Sequence, residues 1–174
     1  EQYTAKNHFF FSQCMDEKHH WRAYKDFEEN CCFLDIETTG LSKERNKITT
    51  IGVYDGKTSR VFVRHKDMDE FPEYMKRYKM IVTFNGRCFD LPFIRQKFPG
   101  IDLDHFHVDL RFVLKELGYT GGLKRIEKQL KITRDDDLEG VDGFQAVRLW
   151  YRYRRGDEAA LQKLIKYNIA DVEN

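Results

Sequence analysis

Short apolar runs alternate with amphipathic stretches along this chain, and that alternation predicts a sheet flanked by helices. Residues 31–36, Cys-Cys-Phe-Leu-Asp-Ile, are an apolar run of strand length ending at an acidic pair, and residues 48–54 and 60–63 read as two further strands. Asp55-Gly56 is a hairpin signal between the last two, so the three form an antiparallel meander. A helix over 68–78 precedes a buried strand at 80–84, which Asn85-Gly86 breaks before a helix starting near Asp90. Residues 106–110 are a fifth strand, and helices follow at 111–117, 122–130, 143–154 and 157–173, with Gly121-Gly122 as a separator. Strands first, with helices interleaved and then dominant, favour a mixed α/β sheet over a bundle or barrel. Residues 1–30 show no single period; a helix is expected over 16–29, which makes them a helical N-terminal extension to a domain over 31–174.

Composition narrows the picture. The 174 residues, 41% hydrophobic and 14% aromatic, suffice for one domain with its own core. Thirty basic and 29 acidic residues leave a net charge of +1, so any attraction to a polyanion has to be local or carried by a metal. Four cysteines without a Cys-x-x-Cys pair suggest neither a zinc site nor a disulfide framework, and Cys31 and Cys32 should face opposite sides of their strand. No run is long enough for a membrane span or shaped like a signal peptide, which points to a reducing cytoplasm. Opening at Glu1 and closing just beyond Asp171, the sequence reads as a piece of a longer protein.

Three stretches carry the chemistry. In Leu34-Asp35-Ile36-Glu37-Thr38-Thr39-Gly40 the two acids are two apart on a strand and share a face, while Leu34 and Ile36 enter the core. In Asn85-Gly86-Arg87-Cys88-Phe89-Asp90, directly after an apolar strand, Asp90 is either a helix cap or an acid delivered to the sheet edge. Tyr167 and Asp171 are four apart on the last helix and lie one turn apart on one face, a spacing common by chance. Four carboxylates together would bind an anionic backbone only after divalent cations had reversed the local charge. Asp109 reads as a turn or helix N-terminal residue, and His19, His20, His105 and His107 as packing or surface residues. Asp135 to Asp137 read as a solvated loop. Lys124, Arg125, Lys128 and Lys131 form one basic cluster; Arg148, Arg152, Arg154 and Arg155 with Tyr151 and Tyr153 form another. Either grips phosphates or is a solvated helix face.

In order and wording the three stretches resemble the DEDD superfamily of 3′ to 5′ exonucleases, which have an RNase H-like fold. The Tyr-x-x-x-Asp form of the third resembles the DEDDy subclass. The stretches around His105 to Leu110, Gly122 to Glu127 and Arg134 to Gly140 are also similar to the ribonuclease H-like family typified by YprB. The resemblance runs from about Cys31 to the end. It implies an RNase H-like mixed sheet, three antiparallel strands then parallel ones, flanked by helices. It also implies two divalent cations, Mg²⁺ or Mn²⁺: one held by Asp35, Glu37 and Asp171, the other by Asp35 and Asp90, with Tyr167 orienting the attacking water. All-carboxylate ligation suits those ions better than zinc. The expected activity is removal of nucleoside 5′-monophosphates from a single-stranded or frayed 3′ end of DNA or RNA. A structure-selective endonuclease of the same fold and a non-catalytic nucleic-acid-binding domain are the alternatives.

Overall fold

The computed structural model describes residues 7–135, 138, 140 and 142–174. Its centre is a five-stranded sheet of β1 (Cys31–Thr38), β2 (Ile48–Tyr54), β3 (Ser59–Val63), β4 (Met80–Thr83) and β5 (Phe106–Asp109), ordered β3-β2-β1-β4-β5. The meander over β1 to β3 is antiparallel, whereas β1, β4 and β5 run parallel to one another. β1 is thus central and borders both halves of the mixed sheet. It also runs two residues beyond the expected end, so that Asp35 and Glu37 are ladder residues and not a strand terminus.

Alternation along β1 sends its side chains to two different interiors. Cys32, Leu34 and Ile36 join Ile51, Val53, Phe62 and Ile81 in a core covered by α3 (Phe71–Met75) and α4 (Asp90–Lys97). Cys31 and Phe33 face the other way, into a cluster with Met80, Val82, Phe106 and Val108. The four cysteines are free, and burial pushes the Cys31 thiol up to about 12. On this second face α7 (Gly143–Tyr153) and α8 (Glu158–Glu173) pack together, and α8 lies across β1, β2 and β3. Leu161 and Leu164 seat it in a core with Ala146, Leu149 and Trp150. α5 (Leu110–Glu116) and α6 (Leu123–Leu130) follow β5 in the chain's path.

Two segments differ from the helices expected of them. Over 16–29 the chain forms 3₁₀ turns, Glu17–Ala23 and Glu28–Asn30, around a single α turn, α2 (Tyr24–Phe27), and a further helix, α1 (His8–Cys14), precedes them. The tighter winding aligns residues three apart, so His20 and Ala23 enter the interior together while the residues between them stay out. His20 then joins elements distant in sequence: its Nε2 lies 3.1 Å from the Met15 carbonyl, and its Nδ1 accepts from the His107 amide. Over 68–78 a 3₁₀ turn, Met68–Glu70, leads into the five-residue α3, with Pro72 in its first turn. The chain must then turn into β4, which it does through the Lys79 amide bonding to the Asn30 carbonyl.

Candidate active site

The sheet and α8 together bring the acids of the first and third motifs into one place. One carboxylate oxygen from each of Asp35, Glu37 and Asp171 lies within 4.8 Å of the others. Asp35 and Glu37 arrive from the second face of β1, while Asp171 and Tyr167 arrive one turn apart from α8. The close approach of helix to sheet depends on Gly52, which pairs with Asp35 in the β1–β2 register. A Cβ at that position would meet the Asn168 amide at 3.0 Å. Asn168, wholly buried, instead reaches over the glycine and donates from Nδ2 to Asp35 Oδ2 at 2.8 Å.

Asp90 sits beside this trio. It is buried at the start of α4, and its Oδ1 accepts the Ile36 amide at 2.9 Å, which ties the second motif to the backbone between the two β1 acids. The turn that delivers it is tightly specified. Asn85 takes a left-handed φ of 67°, and a Cβ on Gly86 would run into the Thr83 side chain. Asp109 holds that turn from the next strand, accepting the Asn85 amide at 2.7 Å and the Arg87 amide at 3.1 Å. It also caps α5 through the Arg111 amide, so its role is the helix-terminal one.

Electrostatics set the character of the site. Burial raises Asp35 well above the usual carboxylate range, and repulsion from Asp171, Asp90 and Glu37 adds to it. Glu37 is raised by burial and by the same neighbours, Asp171 and Asp90. Burial pushes Asp90 up to about 7 against the pull of the Ile36 amide. The Tyr167 phenol is raised by burial and by Asp171, Glu37 and Asp35, so it stays protonated and acts as a hydrogen-bonding hydroxyl. Mutually repelling carboxylates in a buried cluster are a donor set with an excess of negative charge, and their hard oxygens fit Mg²⁺ or Mn²⁺.

Two cations outside the three acidic motifs approach the same place. Arg134 pairs with Asp171 at 2.5 Å and with the buried Glu127 of α6 at 2.7 Å, with its Cζ 5.7 Å from the Tyr167 ring centroid. Burial opposes its charge, but Glu127 and Asp171 outweigh that and hold it protonated. Lys124 Nζ lies 4.5 Å from the Tyr167 ring centroid, shielded from solvent and without a hydrogen-bond partner among the described residues. All the acids open onto a cleft of about 390 Å³, lined also by Phe84, Phe89, Lys124 and Arg125, with the highly exposed Leu41 at its edge.

Asn168 had a legible signal in the chain. It is a polar residue on the stripe Leu161, Leu164, Asn168, Val172, which otherwise spaces apolar side chains toward the sheet. Arg134 had only its place at the head of the Arg134 to Gly140 stretch of the family resemblance, since it follows the C-cap of α6 outside any period. Of the acidic run at 135–137, Asp135 is exposed and pairs with Lys166, whereas 136 and 137 lie outside the described residues. Of the second basic cluster, Arg152 pairs with Asp157 and Arg148 packs over the Phe144 ring, away from the acids.

A strand order of 3-2-1-4-5 with carboxylates on the central strand, at the β4 crossover and on the last helix is the arrangement of an RNase H-like fold. The RNase_H superfamily profile matches residues 32–174, and the chain belongs to that superfamily. Among particular relatives, it is 28% identical over 160 residues to the uncharacterized protein MJ0365 of Methanocaldococcus jannaschii, covering 80% of this chain and 88% of that one. Its fold is similar to part of the family B DNA polymerase of the archaeon Pyrobaculum calidifontis, with a TM-score of 0.63 and 18% identity; the match covers 82% of this chain but only 23% of the polymerase. It is likewise similar to Brucella melitensis NrnC bound to pGG, with a TM-score of 0.57, 16% identity, and 86% and 69% of the two chains covered. NrnC with bound Mg²⁺ matches at a TM-score of 0.55 and 18% identity over 86% of this chain and 69% of that one. No helix among the described residues is long and apolar enough to cross a membrane.

Proposed function

We propose that this chain is a divalent-metal-dependent 3′-5′ exonuclease of the DEDDy, YprB-like kind, hydrolysing phosphodiester bonds of DNA or RNA and releasing nucleoside 5′-monophosphates. The observation that supports it most is the convergence of Asp35, Glu37 and Asp171 oxygens within 4.8 Å. In this reading Asp35, Glu37 and Asp171 would hold one ion and Asp35 with Asp90 a second, Mg²⁺ or Mn²⁺ in each case. Ions bound there would supply Lewis-acid stabilisation of the phosphate and an activated water.

The chain's own residues do the rest. Asn168 fixes one oxygen of Asp35, leaving its other oxygen and Glu37 directed by the strand. Tyr167, held protonated, orients the attacking water by its hydroxyl and takes no proton itself. Lys124, which has no hydrogen-bond partner among the described residues, meets a phosphate oxygen in the cleft. Residues 31–174 are the nuclease domain and 1–30 an extension to it, in a reducing cytoplasm; the substrate is a single-stranded or frayed 3′ end.

One observation favours a non-catalytic nucleic-acid-binding domain: Arg134 already neutralises Asp171. Labelled single-stranded and duplex DNA and RNA, incubated with Mg²⁺ or Mn²⁺, separate the readings. Stepwise shortening from the 3′ end, abolished by a blocked 3′ terminus, is the expected result. Internal cuts would make the protein an endonuclease, and an intact substrate under every condition would make it a binder.

A further inference from the structure

The acidic cleft continues onto a surface of opposite charge. Lys124 and Arg125 line the cleft, and the same two side chains line an open depression of about 710 Å³ with Thr120, Lys128 and Gln129. That lining contains three cations and no acid. Lys124 and Lys128 are four apart on α6 and share a face one turn apart, with Arg125 beside them. The one acid of the helix, Glu127, is turned inward, where Arg134 neutralises it.

Some surface cations of this protein are paired, Lys18 with Asp16, Arg60 with Glu70, Lys97 with Asp69, Arg152 with Asp157 and Lys166 with Asp135. Arg125 and Lys128 are on the outer part of the helix and have no acidic partner among the described residues. What sets this row apart is its place: it leads out of the acidic cleft through a depression whose lining holds no acid, which is complementary to a polyanion entering the cleft.

We propose that the Arg125–Lys128 face of α6, which runs outward from Lys124 in the cleft, is the track for the single strand, gripping the phosphates that lie upstream of the 3′ nucleotide. This rests on the nuclease reading and extends it to the path of the substrate. The track reads backbone charge, not bases, and so accepts DNA and RNA alike. It also predicts that affinity grows with strand length, because a dinucleotide ends before it reaches Lys128.

Binding of a labelled single-stranded octanucleotide, as DNA and as RNA, tests this by fluorescence anisotropy over a salt series with wild type and the Arg125→Ala/Lys128→Ala variant. Both positions are exposed and alanine favours helix, so the variant folds. The variant should bind more weakly, and its slope of log affinity against log salt should be shallower by about 0.7 for each phosphate that is no longer neutralised. The loss on a dinucleotide should be much smaller. Unchanged affinity and slope, an equal loss on the dinucleotide, an equal loss on blunt duplex, or no binding by the wild type would each overturn the track. Since the readout is binding, a chain that shows the expected slope but cleaves nothing refutes the exonuclease reading and leaves the track standing.

Discussion

Arg134 holds Asp171 by an ion pair of 2.5 Å while the same guanidinium spans to Glu127, so one carboxylate of the acidic trio is tied to an internal cation. Removing one member of a buried ion network costs about 3–5 kcal/mol, because the partners are left as uncompensated charges. Arg134→Met should therefore melt well below wild type in chelator. Magnesium should recover more stability in the variant than in wild type, since the ion no longer competes with the guanidinium for Asp171. Thermal denaturation with and without Mg²⁺ measures both; an identical gain in the two proteins would show that the guanidinium and the ion do not contend.

Asp35→Asn removes a charge from a repelling cluster and keeps the shape of the side chain. Without metal the variant should be as stable as wild type or more so, because burial and three acidic neighbours already disfavour the carboxylate. With metal the order reverses: wild type gains stability and the variant gains little. Calorimetric titration with Mg²⁺ and Mn²⁺ checks the affinity directly, and equal affinities would remove Asp35 from the ligand set.

Tyr167→Phe keeps the buried ring and the Lys124 contact but deletes the hydroxyl. Metal affinity and melting should change little, while single-turnover cleavage slows about 10²- to 10³-fold, by analogy with loss of one transition-state hydrogen bond. Asp171→Asn should weaken metal binding itself. Wild-type cleavage rates in Tyr167→Phe would leave the phenol a packing group.

Gly52→Ala tests the seat of α8. The added methyl meets Asn168 at 3.0 Å, closer than most such approaches, and Asn168 cannot retreat without releasing Asp35. A cost of about 1–3 kcal/mol for overpacking is expected, together with weaker metal binding. Weaker melting with full metal affinity would show that the helix shifts without disturbing Asp35.

His107 gives the fold a pH dependence. Burial lowers its ring to about 4 from 6.5, and its Nε2 faces Thr83 Oγ1 at 2.9 Å. The unfolded chain then binds the proton more readily between those values. Its contribution is present above pH 6.5 and is lost as pH falls through about 4. The gap in melting temperature between wild type and His107→Gln should shrink across that interval; a constant gap would mean that the ring does not titrate there.

The legible parts of this protein were those set by local pattern. The apolar alternation of β1 announced two faces, and it put Asp35 and Glu37 on the one opposite Leu34 and Ile36. The last helix was legible from its apolar stripe, which also fixed Tyr167 and Asp171 relative to each other. What escaped depends on partners far along the chain. Asn168 stands 133 residues from the Asp35 it orients. Arg134 lies in an irregular segment and gains its meaning only from Asp171 and Glu127 folding around it. The 3₁₀ winding around His20 was illegible for the same reason, since the ring's partners include the backbone of β5.

Because β1 carries two members of the acidic trio and α8 the third, the two parts leave the ribosome far apart in time. The sheet meander forms from near neighbours, but closing the site requires a loop of more than a hundred residues, a slow, non-local step. A nascent or proteolytically shortened chain without α8 would have strands, much of a core and Asp35, Glu37 and Asp90, yet would lack the Asp171 carboxylate that completes the trio. On the nuclease reading proposed above, the chemistry would therefore be withheld until α8 has been made and has folded onto the sheet.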